Sequence, residues 1–296
     1  MSSLGFRDLR RVAGGRQCIA VYDARLDGQR AAVKVLDRVV DRRALEVRAG
    51  VVAGLVSATD LACAPLPVGG ELVNDVPVGA GRVVHVVASR FAEGEPPDVD
   101  DPAHAARMGR ELAELHGALA ELAPVDLPAL AAFPDIADLG TIADDVGLLA
   151  DARSATCAPT GPAQLLHGDF GAHNVRFAGP ETGVLDFDDC GYGPVEVELA
   201  GSLYFVLFDS VVGSRPLRYR RYREAFLGGY HDLARVRPDD DVLDALIVRR
   251  VLALASWLAR PETAPPGVRS ATAAWRATLA RFVRTFFDVV TPRRWP

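Results

Sequence analysis

The chain has 296 residues and a formal net charge of −6, from 33 Lys+Arg against 39 Asp+Glu, which excludes the strongly basic surface of a general nucleic-acid binder. Hydrophobic residues make up 49%, enough to bury a large core, while the four cysteines (Cys18, Cys63, Cys157, Cys190) are too far apart for a CxxC metal or redox pair. The N-terminal MSSLGFRDLRR lacks the apolar core of a signal peptide and the longest apolar run, near residues 199–208, is too short to span a bilayer, so the expectation is a cytoplasmic protein without membrane or nucleic-acid partners.

Residues 17–26 (QCIAVYDARL) alternate apolar and polar side chains, Asp27-Gly28 supplies a two-residue turn, and residues 30–36 (RAAVKVL) form the partner strand. Residues 38–57 read as a helix. Residues 71–73 and 82–91 read as a second pair of strands, with a turn-rich stretch over 74–81. The Gly/Pro-rich residues 92–97 (AEGEPP) cannot continue a strand. Asp100 or Asp101 before Pro102 starts a helix that places Ala105, Met108, Leu112, Leu115 and Leu119 on one stripe. Residues 163–187 return to short strands and turns. Helices are predicted over 194–213, 216–235, 239–259 and 269–290, the third opened by Asp239, Asp240 and Asp241 against the helix dipole. Residues 215–223 (RPLRYRRYR) read as a helix with tyrosines inward and arginines in solvent.

The chemistry concentrates in residues 165–187, LLHGDFGAHNVRFAGPETGVLDF. Asp169 and Asn174 lie five positions apart in a turn-rich loop, and Asp186 follows twelve positions later at the end of a strand. A loop acid, a loop amide and a strand-end acid can converge on one point. Two of them are hard oxygen ligands that suit Mg²⁺, and the remaining acid, Asp169, is free to orient a hydroxyl and receive its proton. A zinc site from His167, Asp169 and His173 is the weaker alternative, since no further His or Cys sits close by.

Protein kinases carry H-R-D-x-x-x-x-N followed by a metal-binding Asp. Here the loop reads His167-Gly168-Asp169-x-x-x-x-Asn174, then Val184-Leu185-Asp186-Phe187-Asp188, then GYGPVEVELA over 191–200. These elements, in this order, resemble the aminoglycoside phosphotransferase and choline kinase-like family. The resemblance implies an α+β, bilobal protein kinase-like fold, with a small β-rich nucleotide-binding lobe over 1–93 and a larger, mainly helical catalytic and acceptor-binding lobe over 94–296. It implies ATP and Mg²⁺ as cofactors and phosphorylation of a hydroxyl on a small molecule such as an antibiotic, an amino alcohol or a sugar. By resemblance, Asp169 is the catalytic base, Asn174 and Asp186 are the metal ligands, and His167 braces the loop. Glu198 stands where the family usually has Asp, one methylene shorter, so an adapted brace is expected there.

Lys34 is the only lysine in the chain and resembles the strand lysine that reaches the α/β-phosphates. Glu46, the only Glu between residues 31 and 70, is its expected helical partner. Gly14 and Gly15, in residues 13–18 (AGGRQC), are expected to let the backbone approach phosphate oxygens. Residues 89–94 (SRFAEG) resemble the adenine-binding linker, with Arg90 and Ala92 nominated for backbone contacts. Leu112 to His116 (LAELH) resembles a family helix in which the histidine packs. Asp188 and Asp189 follow the metal-binding Asp and are candidates either for binding a cationic acceptor or for bracing loops. The chain ends TPRRWP, a basic terminus unlike one that binds an aminoglycoside. A nucleotide-binding pseudokinase is the alternative, opposed by the joint presence of Lys34, Asp169, Asn174 and Asp186. Absence of an A-P-E-terminated activation segment opposes a protein kinase.

Overall fold

A computed structural model describes residues 4–13, 18–79, 81–130, 161–235, 237–264 and 266–289. The expected phosphate loop with Gly14 and Gly15 lies outside the described residues, as does the basic C-terminal TPRRWP. The chain is α+β and divides into two compact units: residues 1–97, 114–128 and 172–190 make the first, and residues 98–113, 129–171 and 191–296 the second.

The first unit is built on a five-stranded antiparallel sheet with strand order β1-β2-β3-β5-β4. These strands are β1 (Arg7–Ala13), β2 (Ala20–Leu26), β3 (Gln29–Asp37), β4 (Val73–Pro77) and β5 (Val83–Arg90). The β2–β3 hairpin turns at Asp27 (φ 50°) and Gly28 (φ 83°), two positive φ values in succession. That turn matches the right-handed twist of its strands and explains the Asp-Gly pair. Alternate residues of β3 face the core: Ala31, Val33 and Val35 are buried with Val84, Val86 and Ala88 of β5. Lys34, on the opposite face of β3, stands between Val21 and Val87.

Helix α1 (Arg42–Leu55) starts at Asp41, whose carboxylate accepts from the Arg43 amide. It buries Leu45, Val51 and Leu55. The β4 strand extends through Pro77, whereas the sequence favoured a turn from residue 74; pairing with β5 holds the polar Asn74 and Asp75 in the ladder. The first unit also contains the hairpin of β7 (Val175–Ala178) and β8 (Glu181–Val184). Gly94 (φ 95°) packs against the β7 backbone, where an added Cβ would lie 2.2 Å from the Phe177 carbonyl oxygen.

The second unit is mainly helical. Helix α2 (Pro102–Ala120) begins with Asp101 accepting from the Ala103 amide, and the dividing line between the units falls within it at Ala113/Glu114. Ala105, Met108, Leu112, Leu115 and Leu119 are buried as its periodicity requires. The strands β6 (Gln164–Leu166) and β9 (Gly191–Gly193) pair antiparallel. Four long helices follow: α3 (Val195–Val212), α4 (Pro216–Leu233), α5 (Asp240–Ala259) and α6 (Ala273–Val289). Asp239 caps α5 through the Asp241 amide.

Along α4, Tyr219, Tyr222, Phe226 and Tyr230 are buried. Arg218 pairs with Asp100 at 2.5 Å, Arg223 pairs with Asp240 and Asp244, and Arg220 and Arg221 are exposed. Helices α2 and α4 cross through two glycines. A Cβ on Gly109 would lie 1.9 Å from the Phe226 carbonyl oxygen, and one on Gly229 would lie 1.9 Å from that of Ala106. Only glycine permits this reciprocal approach.

Candidate active site

The His-Gly-Asp loop leaves β6 and is held by two side chains of α3, one helical turn apart. Glu198 is 4% exposed, and its carboxylate accepts from the His167 amide at 3.1 Å and from the Gly168 amide at 2.5 Å. Ser202 donates its hydroxyl to the Phe170 carbonyl at 2.8 Å. Gly168 has φ 88°, a left-handed conformation that a side chain there would oppose. His167 is fully buried, lies edge-on to Phe170, and accepts the Asp169 amide at Nδ1 (3.2 Å). Two consecutive amides on one buried carboxylate fix the backbone entering Asp169. The extra methylene of Glu198 still delivers both oxygens to the loop.

Asp169 is half-buried in the second unit, and α5 brings a cation near it. Arg250 lies 4.5 Å above the Tyr204 ring and 5.1 Å from that of Phe205. Burial pushes the Arg250 pKa down, while Tyr204 and then Asp169 pull it back up. Gly201 admits the guanidinium, since a Cβ there would meet Nη1 at 3.0 Å. The sequence reading missed Arg250. Its available signal was a basic pair, Arg249-Arg250, inside the otherwise apolar run LIVRRVLALA.

In the first unit, the β7–β8 hairpin carries the two expected metal ligands. The Leu185 amide donates to the Asn174 carbonyl at 2.8 Å, so Asn174 and Asp186 sit at the same end of the hairpin. Asp186 has φ 62°, rare for a residue with a side chain. Their side chains offer an amide oxygen and a carboxylate, the hard donors that fit Mg²⁺ when phosphate oxygens and water complete the shell.

Lys34 Nζ lies 2.8 Å from Asp186 Oδ1 and 2.5 Å from Asp188 Oδ2. Burial would push the Lys34 pKa down, but Asp188 and then Asp186 outweigh it and hold the pKa above the ordinary value. The expected partner is elsewhere: Glu46 accepts from Arg42 Nε at 2.7 Å, one turn back on α1. An i,i+4 pair on the exposed side of the helix captures it. Asp188, a candidate for the acceptor, is turned back to Lys34 by the 3-10 turn Phe187–Asp189. Asp189 is exposed.

In the linker, the Arg90 amide donates to the Ala64 carbonyl at 2.7 Å, so this N–H is not available to a base edge. No hydrogen bond to the Ala92 amide is found among the described residues. His116 is buried on α2.

The sequence model of the phosphotransferase enzyme family (APH) matches residues 61–246, well over half of the chain. The chain belongs to that family. Solved structures show the same protein kinase-like fold for this phosphotransferase. An amicoumacin kinase, hAmiN, in complex with AMP-PNP, Ca²⁺ and Ami aligns with TM-score 0.71 and 17% identity, over 96% of this chain and 89% of that one. A microcompartment-associated aminopropanol kinase aligns with TM-score 0.70 and 18% identity, over 96% and 91%. A choline/ethanolamine kinase family protein from Mesorhizobium loti aligns with TM-score 0.57 and 16% identity, over 97% and 90%. No curated protein shows a significant match. Family and fold together make the chain a phosphotransferase of protein kinase-like fold. Among the described residues, no helix of the phosphotransferase is long and apolar enough to cross a membrane.

Proposed function

We propose that the protein transfers the γ-phosphoryl group of ATP to a hydroxyl of a small molecule, with Mg²⁺ as cofactor. The observation that carries this reading is the contact of Lys34 with Asp186, a strand ammonium and a strand-end carboxylate 2.8 Å apart and 152 positions apart in sequence. The AMP-PNP and Ca²⁺ in the complex of the amicoumacin kinase support a nucleotide triphosphate and a divalent cation. The aminopropanol kinase supports a small hydroxyl compound as acceptor.

In this reading residues 1–93 serve the nucleotide and residues 94–296 the catalysis and the acceptor, an antibiotic, amino alcohol or sugar. Asp169 accepts the proton of the acceptor hydroxyl as its oxygen bonds to the γ-phosphorus. The bond from that phosphorus to the β,γ-bridging oxygen breaks, and ADP leaves with the electron pair. Lys34 attracts the α/β-phosphates, and the Ala92 backbone meets the adenine edge. Glu198 and His167 keep the Asp169 backbone fixed. Asn174 and Asp186 would hold Mg²⁺, which supplies charge neutralisation on the phosphate oxygens.

A panel of hydroxyl compounds, scored by ADP release with purified protein, ATP and Mg²⁺, tests the proposal. It should include aminoglycosides, peptide antibiotics, amino alcohols and sugars. Acceptor-dependent ADP release supports it. Nucleotide binding with no release for any acceptor favours a pseudokinase.

A further inference from the structure

Protein kinases hold the strand lysine with a glutamate from the following helix. In this chain α1 does not offer one. Glu46, its only acid, is exposed and bonded to Arg42. Two residues further, α1 presents a cation instead. Arg48 lies beside Cys190, where its charge works against the burial that pushes the thiol up to about 12.

The acids come instead from the segment after β8. Phe187, buried under the 3-10 turn, anchors Asp188, and the Cys190 amide closes the turn on the Phe187 carbonyl at 3.2 Å. Asp188 then meets Lys34 at 2.5 Å, and the two side chains are only 22% and 19% exposed. Asp186 meets the same ammonium at 2.8 Å but is 45% exposed. A shielded pair is weakened less by water and salt than an exposed one.

We propose that Asp188 is the positioning residue for Lys34, filling from the 3-10 turn the role that a helix glutamate fills in protein kinases. This rests on the nucleotide-binding reading above. It divides the two acids: Asp186 remains available as a metal ligand, while Asp188 keeps the ammonium aimed at the phosphates.

Binding of AMP-PNP in the presence of Mg²⁺ tests this without an acceptor. The proteins are wild type, Lys34→Ala, Asp188→Asn, Asp188→Glu and the Lys34→Ala/Asp188→Asn double variant, each checked by thermal melting. Each of the Lys34→Ala and Asp188→Asn variants should weaken binding by about tenfold, and the double variant no further than Lys34→Ala. Asp188→Glu should recover part of the loss, which a merely misfolded variant would not do. The inference fails if Asp188→Asn binds normally. It also fails if Asp188→Asn weakens the Lys34→Ala protein by the same factor and raises the Mg²⁺ needed, since Asp188 would then be a metal ligand. Additive losses with a wild type that binds overturn this inference alone. A wild type that binds no nucleotide overturns the proposed function with it.

Discussion

Glu198 accepts the backbone amide of His167 at 3.1 Å, and with its other oxygen the amide of the next residue, Gly168. One buried carboxylate therefore sets the backbone just ahead of Asp169. Glu198→Ala strands two amides, each at a cost of roughly 1–3 kcal/mol. The expected outcome is a clear fall in melting temperature and a larger loss of turnover than with Glu198→Asp, which keeps the carboxylate one methylene short. Equal melting curves for wild type and Glu198→Ala would count against the brace.

The crossing of α2 and α4 makes a sharper stability prediction. Gly109→Ala or Gly229→Ala places a Cβ 1.9 Å from a carbonyl oxygen of the partner helix. Backbone on both sides leaves nothing flexible to yield, so each should cost at least about 3 kcal/mol. Gly117, on the same helix α2, has nothing within 4 Å of an added Cβ. Gly117→Ala is expected to be neutral or slightly stabilising in the same denaturant titration.

Glu46 is bonded to Arg42 at 2.7 Å and not to Lys34. Solvent screens an exposed i,i+4 pair, so it contributes little to stability. Glu46→Gln should therefore leave AMP-PNP affinity within about twofold of wild type, less than 1.4 kcal/mol. A tenfold loss would restore the helix partner that the sequence suggested.

His231 predicts a pH dependence of stability. Burial, then Arg237, holds its pKa below the ordinary 6.5, against the pull of Asp240 and Asp232. Its Nε2 is enclosed with no hydrogen-bond partner among the described residues. The folded chain thus binds this proton less readily than the unfolded chain. The contribution to stability is intact above pH 6.5 and is lost as pH falls through 6.5 towards the lower folded value. Melting temperature should fall on acidification, and His231→Gln should reduce that fall. Identical pH profiles for the two proteins would contradict the assignment.

Local signals carried much of the reading. The Asp27-Gly28 pair marked the β2–β3 hairpin, and the stripe from Ala105 to Leu119 marked the buried face of α2. The spacing from His167 to Asp186 located the loop and hairpin that hold the candidate groups. What the sequence did not show depends on packing or on strands too short for periodicity. The strand β9 is only Gly191–Gly193, and its pairing with β6 leaves no pattern. Glu46 was expected to meet Lys34 because sequence order does not reveal which face of α1 an acid occupies. Arg250 becomes notable only where α3 supplies Gly201, Tyr204 and Phe205 to receive it.

In the proposed reaction Asp169 takes the acceptor proton during phosphoryl transfer. The most direct test of this step is the turnover of Asp169→Asn with an acceptor found by ADP release, beside AMP-PNP affinity of the same protein. That role predicts a loss of about 10²–10⁴-fold in kcat with nucleotide affinity unchanged. Near-normal turnover in Asp169→Asn would contradict it.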